Sequence, residues 1–297
     1  MCASPAGAHR MAYWEWGDPD NDKVLLCVHG LTRSGRDFDQ LAARLSSHYR
    51  VVCPDVVGRG KSDWLIDAKS YVVPQYVADM LTLIARLRPG RLDWVGTSMG
   101  GLIGMGLAGT LAVSALLRPA RGALGLPADS GVPLGKVVLN DIGPQLNFSG
   151  LQRIVDYVGK PVRYNSFQQA VEHVRSISAG FGDHDEAGWE ALTKHVFNEV
   201  DGQWVQHYDL RIAQPMSAQT PESIRSSEDM LWAAYESIRG PILIVRGMLS
   251  DLLTAETAGD MLRRNPRATL HEVPGVGHAP TLRCDSQIDP IERFLLA

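Results

Sequence analysis

The sequence has few cysteines, and they show no pairing pattern. Cys2, Cys27, Cys53 and Cys284 are scattered, and no two of them form a C-x-x-C pair. A disulfide framework or a thiol redox motif is therefore not predicted. Cys27 and Cys53 lie in apolar, strand-like runs, where free buried thiols are common. Residues 1–10 have no apolar signal-peptide core, so we expect a cytoplasmic protein in a reducing compartment.

The chain also lacks an excess of charge of either sign. Its formal net charge is −4 at pH 7 over 297 residues. A basic patch is the usual mark of nucleic-acid binding, so no nucleic-acid partner is predicted. None of the nine histidines occurs in an H-x-x-x-H or H-E-x-x-H pattern. The sequence therefore predicts no metal site, and we expect no organic cofactor.

No stretch of the chain has the composition of a linker, which favours one large domain carrying an insertion. Residues 94–117 carry no charge and are long enough to cross a membrane. However, they begin with a strand and a turn, they are rich in glycine, and no second such stretch exists. We therefore expect a buried central helix and no membrane partner. The sequence is compatible with a homo-oligomer and does not determine the oligomeric state.

One glycine-flanked serine stands out as a candidate nucleophile. Gly96, Ser98 and Gly100 fit the G-x-S-x-G pattern of a nucleophile elbow, a sharp turn from a strand into a helix. The turn makes the serine hydroxyl project from the sheet, and side chains at the two flanking positions would collide with neighbouring backbone. The N–H groups at the start of the following helix would point at developing negative charge.

Short apolar runs alternate along the chain with patterns of helical period. This alternation predicts an α/β fold with a mostly parallel, doubly wound sheet and right-handed crossovers. The predicted strands are 11–16, 23–28, 50–53, 92–95, 137–140, 241–245 and 269–273. The predicted helices of this layer are 38–45, 76–87, 99–117 and 288–296.

Two segments interrupt the alternation. Residues 112–135 are rich in Ala, Gly, Leu and Pro and are predicted to form a surface insertion. Residues 144–237 contain helical patterns at 151–158, 167–177, 189–200 and 229–237, with little strand signal. We therefore predict a core of residues 1–143 and 238–297 with a helical cap of residues 144–237. Loops at the carboxyl ends of parallel strands border the ligand crevice, so the cap is expected to cover Ser98.

A serine needs a base to remove its proton and a third group to orient that base. His278 is the best candidate base, because it lies on a glycine-rich loop after the last predicted strand. Asp251 and Asp141 each follow a strand and could be the acid. We favour Asp251 because the order Ser98, Asp251, His278 is that of the α/β hydrolases. Asp141 is then expected to stabilise the turn that leads into the helical segment 144–237 by capping it.

The segment His29-Gly30-Leu31 follows a buried strand, where a second oxyanion donor is expected. The backbone N–H groups of Leu31 and Met99 are predicted to form the oxyanion hole. His29 and Gly30 are predicted to border the substrate, although a histidine at such a place is more often structural.

The aromatic residues Trp189 and Trp204 of the cap are predicted to line an acyl pocket, with ordinary packing within the cap as the alternative. Arg33, Arg36 and Arg59 could bind an acidic substrate, but paired or solvated surface arginines are more common. The segment 58–62 ends like a phosphate-binding P-loop. Asp55 replaces its first glycine, so nucleotide binding is rejected.

The order of these motifs resembles the α/β-hydrolase superfamily with a helical cap. The resemblance covers His29-Gly30, Gly58 to Ser62, the elbow at Ser98, Asp251 and His278, and it runs from about residue 11 to the C-terminus. Within that superfamily, the sequence is most similar to the esterase, thioesterase and lactonase group. Haloalkane dehalogenases and epoxide hydrolases use an aspartate at the elbow, and Ser98 argues against both.

The resemblance implies a serine hydrolase that cleaves a small carboxylic ester, lactone or thioester through an acyl-enzyme. Two alternatives use the same triad. One is carbon–carbon bond hydrolysis of ring-cleavage products, and the other is a hydrolase-like receptor that captures a small molecule without turning it over. The sequence alone does not give the acyl length or the leaving group.

Overall fold

The computed structural model describes residues 1–123, 131–145 and 147–297. Within these residues the chain forms twelve strands, which we label in chain order. They are β1 (Cys2–Ser4), β2 (Gly7–His9), β3 (Tyr13–Trp16), β4 (Lys23–Val28), β5 (Arg50–Pro54), β6 (Arg91–Thr97), β7 (Leu134–Asn140), β8 (Arg163–Tyr164), β9 (Phe197–Val200), β10 (Gln203–Gln206), β11 (Ile242–Gly247) and β12 (Ala268–Val273).

The α-helices of the same described residues alternate with the strands in the first and last parts of the chain, and between β7 and β11 five of them are interspersed with three short strands. They are α1 (Asp39–Leu45), α2 (Val73–Leu87), α3 (Met99–Ala123), α4 (Phe148–Val155), α5 (Phe167–Ile177), α6 (Glu186–Lys194), α7 (Ala213–Ser217), α8 (Pro221–Glu236), α9 (Ala255–Arg264) and α10 (Asp285–Leu296).

A seven-stranded sheet in the order β12-β11-β7-β6-β4-β5-β3 organises the molecule. All of its neighbouring strands are parallel except the edge strand β3, which pairs antiparallel with β5. The five residues after Lys23 in β4 are all buried, because helices cover both faces of the sheet. One apolar cluster lies on each face. This architecture confirms the predicted α/β class, and it places the carboxyl ends of β6, β7 and β11 side by side.

The N-terminal part of the fold holds a strand pair that the sequence did not predict. β1 and β2 form a short antiparallel hairpin, which is attached to α2. Buried His9 at the end of β2 lies 3.0 Å from the Asp79 carboxylate. Two three-residue strands give too short an alternation to be recognised in a sequence.

The segment between β7 and β11 combines helices with a small sheet. β8, β10 and β9 form a three-stranded antiparallel sheet, so the prediction that this segment has little strand is wrong. The predicted helix over 189–200 ends with α6 at Lys194, and its last residues are β9. Asp201 and Gly202 both have positive φ, 51° and 73°, as a two-residue hairpin turn requires.

Helix α3 is longer than predicted. Residues 112–123, which were expected to begin a surface insertion, continue it, and the rest of that insertion up to residue 130 lies outside the described residues. Within the described chain, α3 is the one helix that is long and apolar enough to cross a membrane. Its first half packs in the core against β6 and α2, whereas Leu116 near its end is 79% exposed.

Candidate active site

Ser98 occupies a sharp turn between β6 and α3. Its φ of 52° is left-handed, a backbone conformation that few residues other than glycine adopt. A Cβ atom at Gly96 would lie 2.4 Å from the Gly100 carbonyl oxygen, and one at Gly100 would lie 1.9 Å from the Val28 carbonyl oxygen. Both positions therefore require glycine, as the elbow pattern predicts, and the turn presents the Ser98 hydroxyl at the end of the sheet.

A chain of hydrogen bonds runs from this hydroxyl into the core. Ser98 Oγ lies 2.8 Å from His278 Nε2, and His278 Nδ1 lies 2.8 Å from Asp141 Oδ2. His278 follows β12, and Asp141 directly follows β7, the neighbour of β6 in the sheet. A neutral imidazole that donates from Nδ1 accepts at Nε2, so it can take the serine proton.

Asp141 is fixed by several donors besides the histidine. It is fully buried, and its Oδ1 accepts from the Gly247 amide at 2.8 Å while its Oδ2 accepts from the Ser250 hydroxyl at 2.6 Å. Its own amide donates to the Val245 carbonyl at 2.7 Å, and its φ is 57°. Three donors, among them His278 Nδ1, hold this buried carboxylate in one orientation with Oδ2 toward the imidazole.

The prediction that Asp251 orients His278 is wrong. Asp251 Oδ2 and Oδ1 accept from Arg153 Nε and Nη2 at 2.6 and 2.9 Å, and the Asp251 side chain is 42% exposed. The neighbouring Arg153 guanidinium holds the pKa of this carboxyl below its usual value. Asp251 therefore lies in the loop after β11 and pairs with helix α4, while Asp141 occupies the position next to the imidazole.

His29 supports the loop after β4 and does not border the cavity as predicted. It is fully buried, its Nε2 accepts from the Val56 amide at 2.9 Å, and its Nδ1 lies 2.7 Å from the Gly30 carbonyl oxygen. Burial lowers its pKa to about 3, so the ring is neutral, with Nδ1 as the donor. Gly30 does line the cavity, and a Cβ there would lie 3.8 Å from Ser98 Cβ.

A cavity lies above Ser98, between the sheet and the segment that follows β7. Leu31 and His278 line its floor, and α4, α5 and the small sheet form its walls. The wall side chains are mainly apolar, and they include Ile154, Val162, Val174, Ile177, Phe181 and Phe197. A site of this kind suits a compact apolar or weakly polar substrate held next to the serine.

Trp189 and Trp204, which were predicted to line this cavity, are not among its lining residues. Trp189 is 6% exposed within the apolar cluster formed by α5, α6 and β9. Trp204 packs against the same cluster, with its ring 4.7 Å from that of Phe167. Their large apolar surfaces stabilise this segment internally, as the alternative interpretation held.

The segment above the cavity is joined by hydrogen bonds to the loops that carry the site. The Asp209 amide donates to the Gly58 carbonyl at 2.8 Å, and the Gly60 amide donates to His207 Nδ1 at 2.9 Å. The Gly277 amide donates to the Gly180 carbonyl at 2.6 Å. Segment 58–62 is thus bonded to the segment above the cavity, and a second attachment lies one residue before His278.

The sequence is similar to a known family and to individual proteins. The model of the alpha/beta hydrolase family matches residues 25–293. A 3-hydroxybutyrate-oligomer hydrolase of Cupriavidus necator is 50% identical over 99% of this chain and 95% of its own length. A 2-(acetamidomethylene)succinate hydrolase of Mesorhizobium japonicum is 26% identical over 86% of this chain and 81% of its own.

A solved structure shows the same architecture. An alpha/beta hydrolase from Novosphingobium aromaticivorans has a TM-score of 0.78 and 32% sequence identity, and the match covers 97% of this chain and 98% of that one. The family match and the 50% identical relative each extend over most of the sequence and include the elbow. The chain is a member of the alpha/beta hydrolase family.

Proposed function

We propose that this protein is a serine esterase that works through an acyl-enzyme. The observation that carries this proposal is the Ser98–His278–Asp141 chain, with 2.8 Å at each contact. The 50% identical relative is named for the hydrolysis of an oligomer of a hydroxy acid, whose units are joined by esters. An ester is a substrate that a serine triad with a nearby oxyanion hole can cleave without further chemistry.

In the first half of the reaction, Ser98 Oγ attacks the ester carbonyl as His278 Nε2 takes its proton. The backbone N–H groups of Leu31 and Met99 donate to the oxyanion that forms. Buried Asp141 holds the imidazole in place and stabilises its positive charge. His278 then gives the proton to the leaving alcohol, and the acyl group stays on Ser98.

In the second half, His278 takes a proton from water, and the resulting hydroxide attacks the acyl-enzyme. The tetrahedral intermediate uses the same oxyanion donors, and its collapse releases the acid and returns the proton to Ser98 Oγ.

We further propose that the substrate is a short ester-linked hydroxy acid whose free carboxylate lies near Lys160. Three cationic side chains line the cavity. Arg33 is already bound to Asp37 and Arg153 to Asp251. Among the described residues, none places an acidic oxygen within ion-pair distance of Lys160 Nζ. Its backbone is held in place because Gln206 Nε2 donates to the Lys160 carbonyl at 3.0 Å.

The test of the proposed reaction combines a probe with a panel of substrates. A fluorophosphonate should label Ser98, located by peptide mass spectrometry, and 3-hydroxybutyrate dimer and p-nitrophenyl esters should be turned over. A dienone acid formed by aromatic ring cleavage is included, because carbon–carbon hydrolysis would use the same triad. Absence of labelling at Ser98, or turnover of the dienone acid alone, would contradict an esterase.

Replacement of Lys160 by glutamine should raise KM for the free-acid dimer about three- to fivefold, the size expected for one exposed ion pair. The methyl ester of the same dimer has no carboxylate, so its KM should not change. Lys194→Gln removes an exposed cation at the end of α6 that is not among the lining residues, and it serves as the matched control. An equal effect of Lys160→Gln on acid and methyl ester would refute the carboxylate site.

A further inference from the structure

Arg59 is a fully buried arginine directly behind the candidate active site. The sequence favoured a surface or substrate-binding role for it, but its exposed fraction is 0%. Its Nε donates to the Leu31 carbonyl at 2.8 Å, and its Nη1 donates to the Val57 carbonyl at 2.7 Å and to the Tyr76 hydroxyl at 3.1 Å. Its Nη2 lies 3.7 Å from Met99 Sδ.

This guanidinium has no acidic partner within ion-pair distance among the described residues. Its charge is compensated by carbonyl oxygens and by two aromatic faces. The Arg59 Cζ lies 5.6 Å from the ring centre of Tyr71 and 5.2 Å from that of Tyr76. Burial of an unpaired charge costs far more free energy than an apolar residue of the same size would.

Other arginines of the molecule show how unusual this is. Arg33 pairs with Asp37, Arg36 pairs with Asp39, and Arg211 pairs with Asp209. Arg36 also stacks on the Trp14 ring at 4.6 Å, so it matches Arg59 in its aromatic contact. Arg59 alone among these four is held by neutral groups only, so its charge and its fork of donors have a use other than closing an ion pair.

We infer that Arg59 is a positioning residue of the oxyanion hole, which it holds from behind by contacting both of its donor residues. This inference rests on the proposed esterase function and on the assignment of the Leu31 and Met99 N–H groups as donors. One planar guanidinium touches the loop after β4 through Leu31 and the first residue of α3 through Met99.

The Arg59 guanidinium suits this positioning role because its donors are arranged in a rigid, planar fork. The two donor N–H groups belong to separate segments of the chain, and they must converge on one oxygen atom. Arginine presents several donors in a fixed plane, so it can fix the spacing of two segments at once, which the single ammonium of a lysine does not do. A displacement of about 1 Å at a reacting group can cost about 100-fold in rate.

The test replaces Arg59 by methionine and by lysine and measures ester hydrolysis and inhibitor binding. We expect Arg59→Met to lower kcat about 100-fold, the loss that follows removal of one oxyanion donor, with KM within about threefold. An alkylboronic acid, which forms a tetrahedral adduct on Ser98, should lose affinity by a similar factor. Arg59→Lys should recover about tenfold of the lost kcat, since it restores one donor and the charge. Arg36→Met is the matched control and should stay within about twofold of the parent kcat.

Two results would overturn the inference. One is a folded Arg59→Met enzyme whose kcat is within about threefold of the parent, and the other is a rise in KM alone. If Arg59→Met does not fold, as judged by thermal unfolding, the variant Tyr76→Phe tests the inference instead. It removes one of the two acceptors of Nη1 and leaves the bond to the Val57 carbonyl, and it should lower kcat about fivefold without changing KM. A parental kcat in that variant would be contrary evidence. Loss of activity in Ser98→Ala with full activity in Arg59→Met would defeat this inference and leave the esterase function intact.

Discussion

Replacement of Ser98 by alanine should lower kcat for an ester by about 10⁶-fold, the largest effect we expect from any single substitution. Removal of the hydroxyl abolishes the acyl-enzyme route, and any residual rate must come from water attack within the intact oxyanion hole. The substitution fits the fold, because alanine removes only the oxygen atom. Cavity and sheet should be unaffected, so KM should change little.

The measurement is single-turnover hydrolysis of a p-nitrophenyl ester, with fluorophosphonate labelling as a second readout. Ser46→Ala is the matched control, since it removes a hydroxyl that only caps the end of α1 by donating to the Ala43 carbonyl. Retention of more than about one-hundredth of the parental kcat by Ser98→Ala would show that another group carries the reaction.

Replacement of Asp141 by asparagine should lower kcat about 10⁴-fold. The asparagine amide removes the negative charge that stabilises the imidazolium. The Gly247 amide and the Ser250 hydroxyl would compete with His278 Nδ1 for its one oxygen. When the NH₂ group faces Nδ1, the ring is driven into the wrong tautomer, with the proton on Nε2, and cannot accept the proton of Ser98.

Asp251→Asn is the control for this variant, and it should keep kcat within about threefold, because it loses only a half-exposed pair with Arg153. Steady-state kinetics of both variants, with thermal unfolding to verify folding, separate the two carboxylates. A larger loss of kcat in Asp251→Asn than in Asp141→Asn would reverse the assignment of the acid.

The architecture followed from sequence patterns wherever those patterns are local. The buried strands β4 and β11 each contain a continuous apolar run, because helices cover both faces of the sheet. The elbow glycines are required by backbone contacts within a few ångströms. The small sheet was missed because its strands are short and half-exposed. Its Asp201-Gly202 turn did carry a recognisable hairpin signal.

The acid of the triad could not be found in the same way. Asp141 and Asp251 both lie between Ser98 and His278 in the chain, and both follow strands, so chain order does not separate them. The strand order of the sheet distinguishes the two carboxylates, because β7 is hydrogen-bonded to β6 and ends beside Ser98. Which strands are neighbours is a long-range property of the fold, and a pattern within one segment does not contain it.

The burial of polar and aromatic side chains could not be predicted from the sequence either. Nothing in the composition around Arg59 indicates that two tyrosines more than ten residues away will enclose it. Trp189 and Trp204 are equally suited to a pocket wall and to the interior of a small subdomain. Only the packing of α5, α6 and β9 places them in the interior.

The bond between the Gly277 amide and the Gly180 carbonyl has a consequence for the loop that carries His278. The segment above the cavity is hydrogen-bonded to the backbone one residue before His278. Any outward movement of the segment at Gly180 must break this bond. The position of that segment and the position of the loop that carries His278 therefore depend on each other.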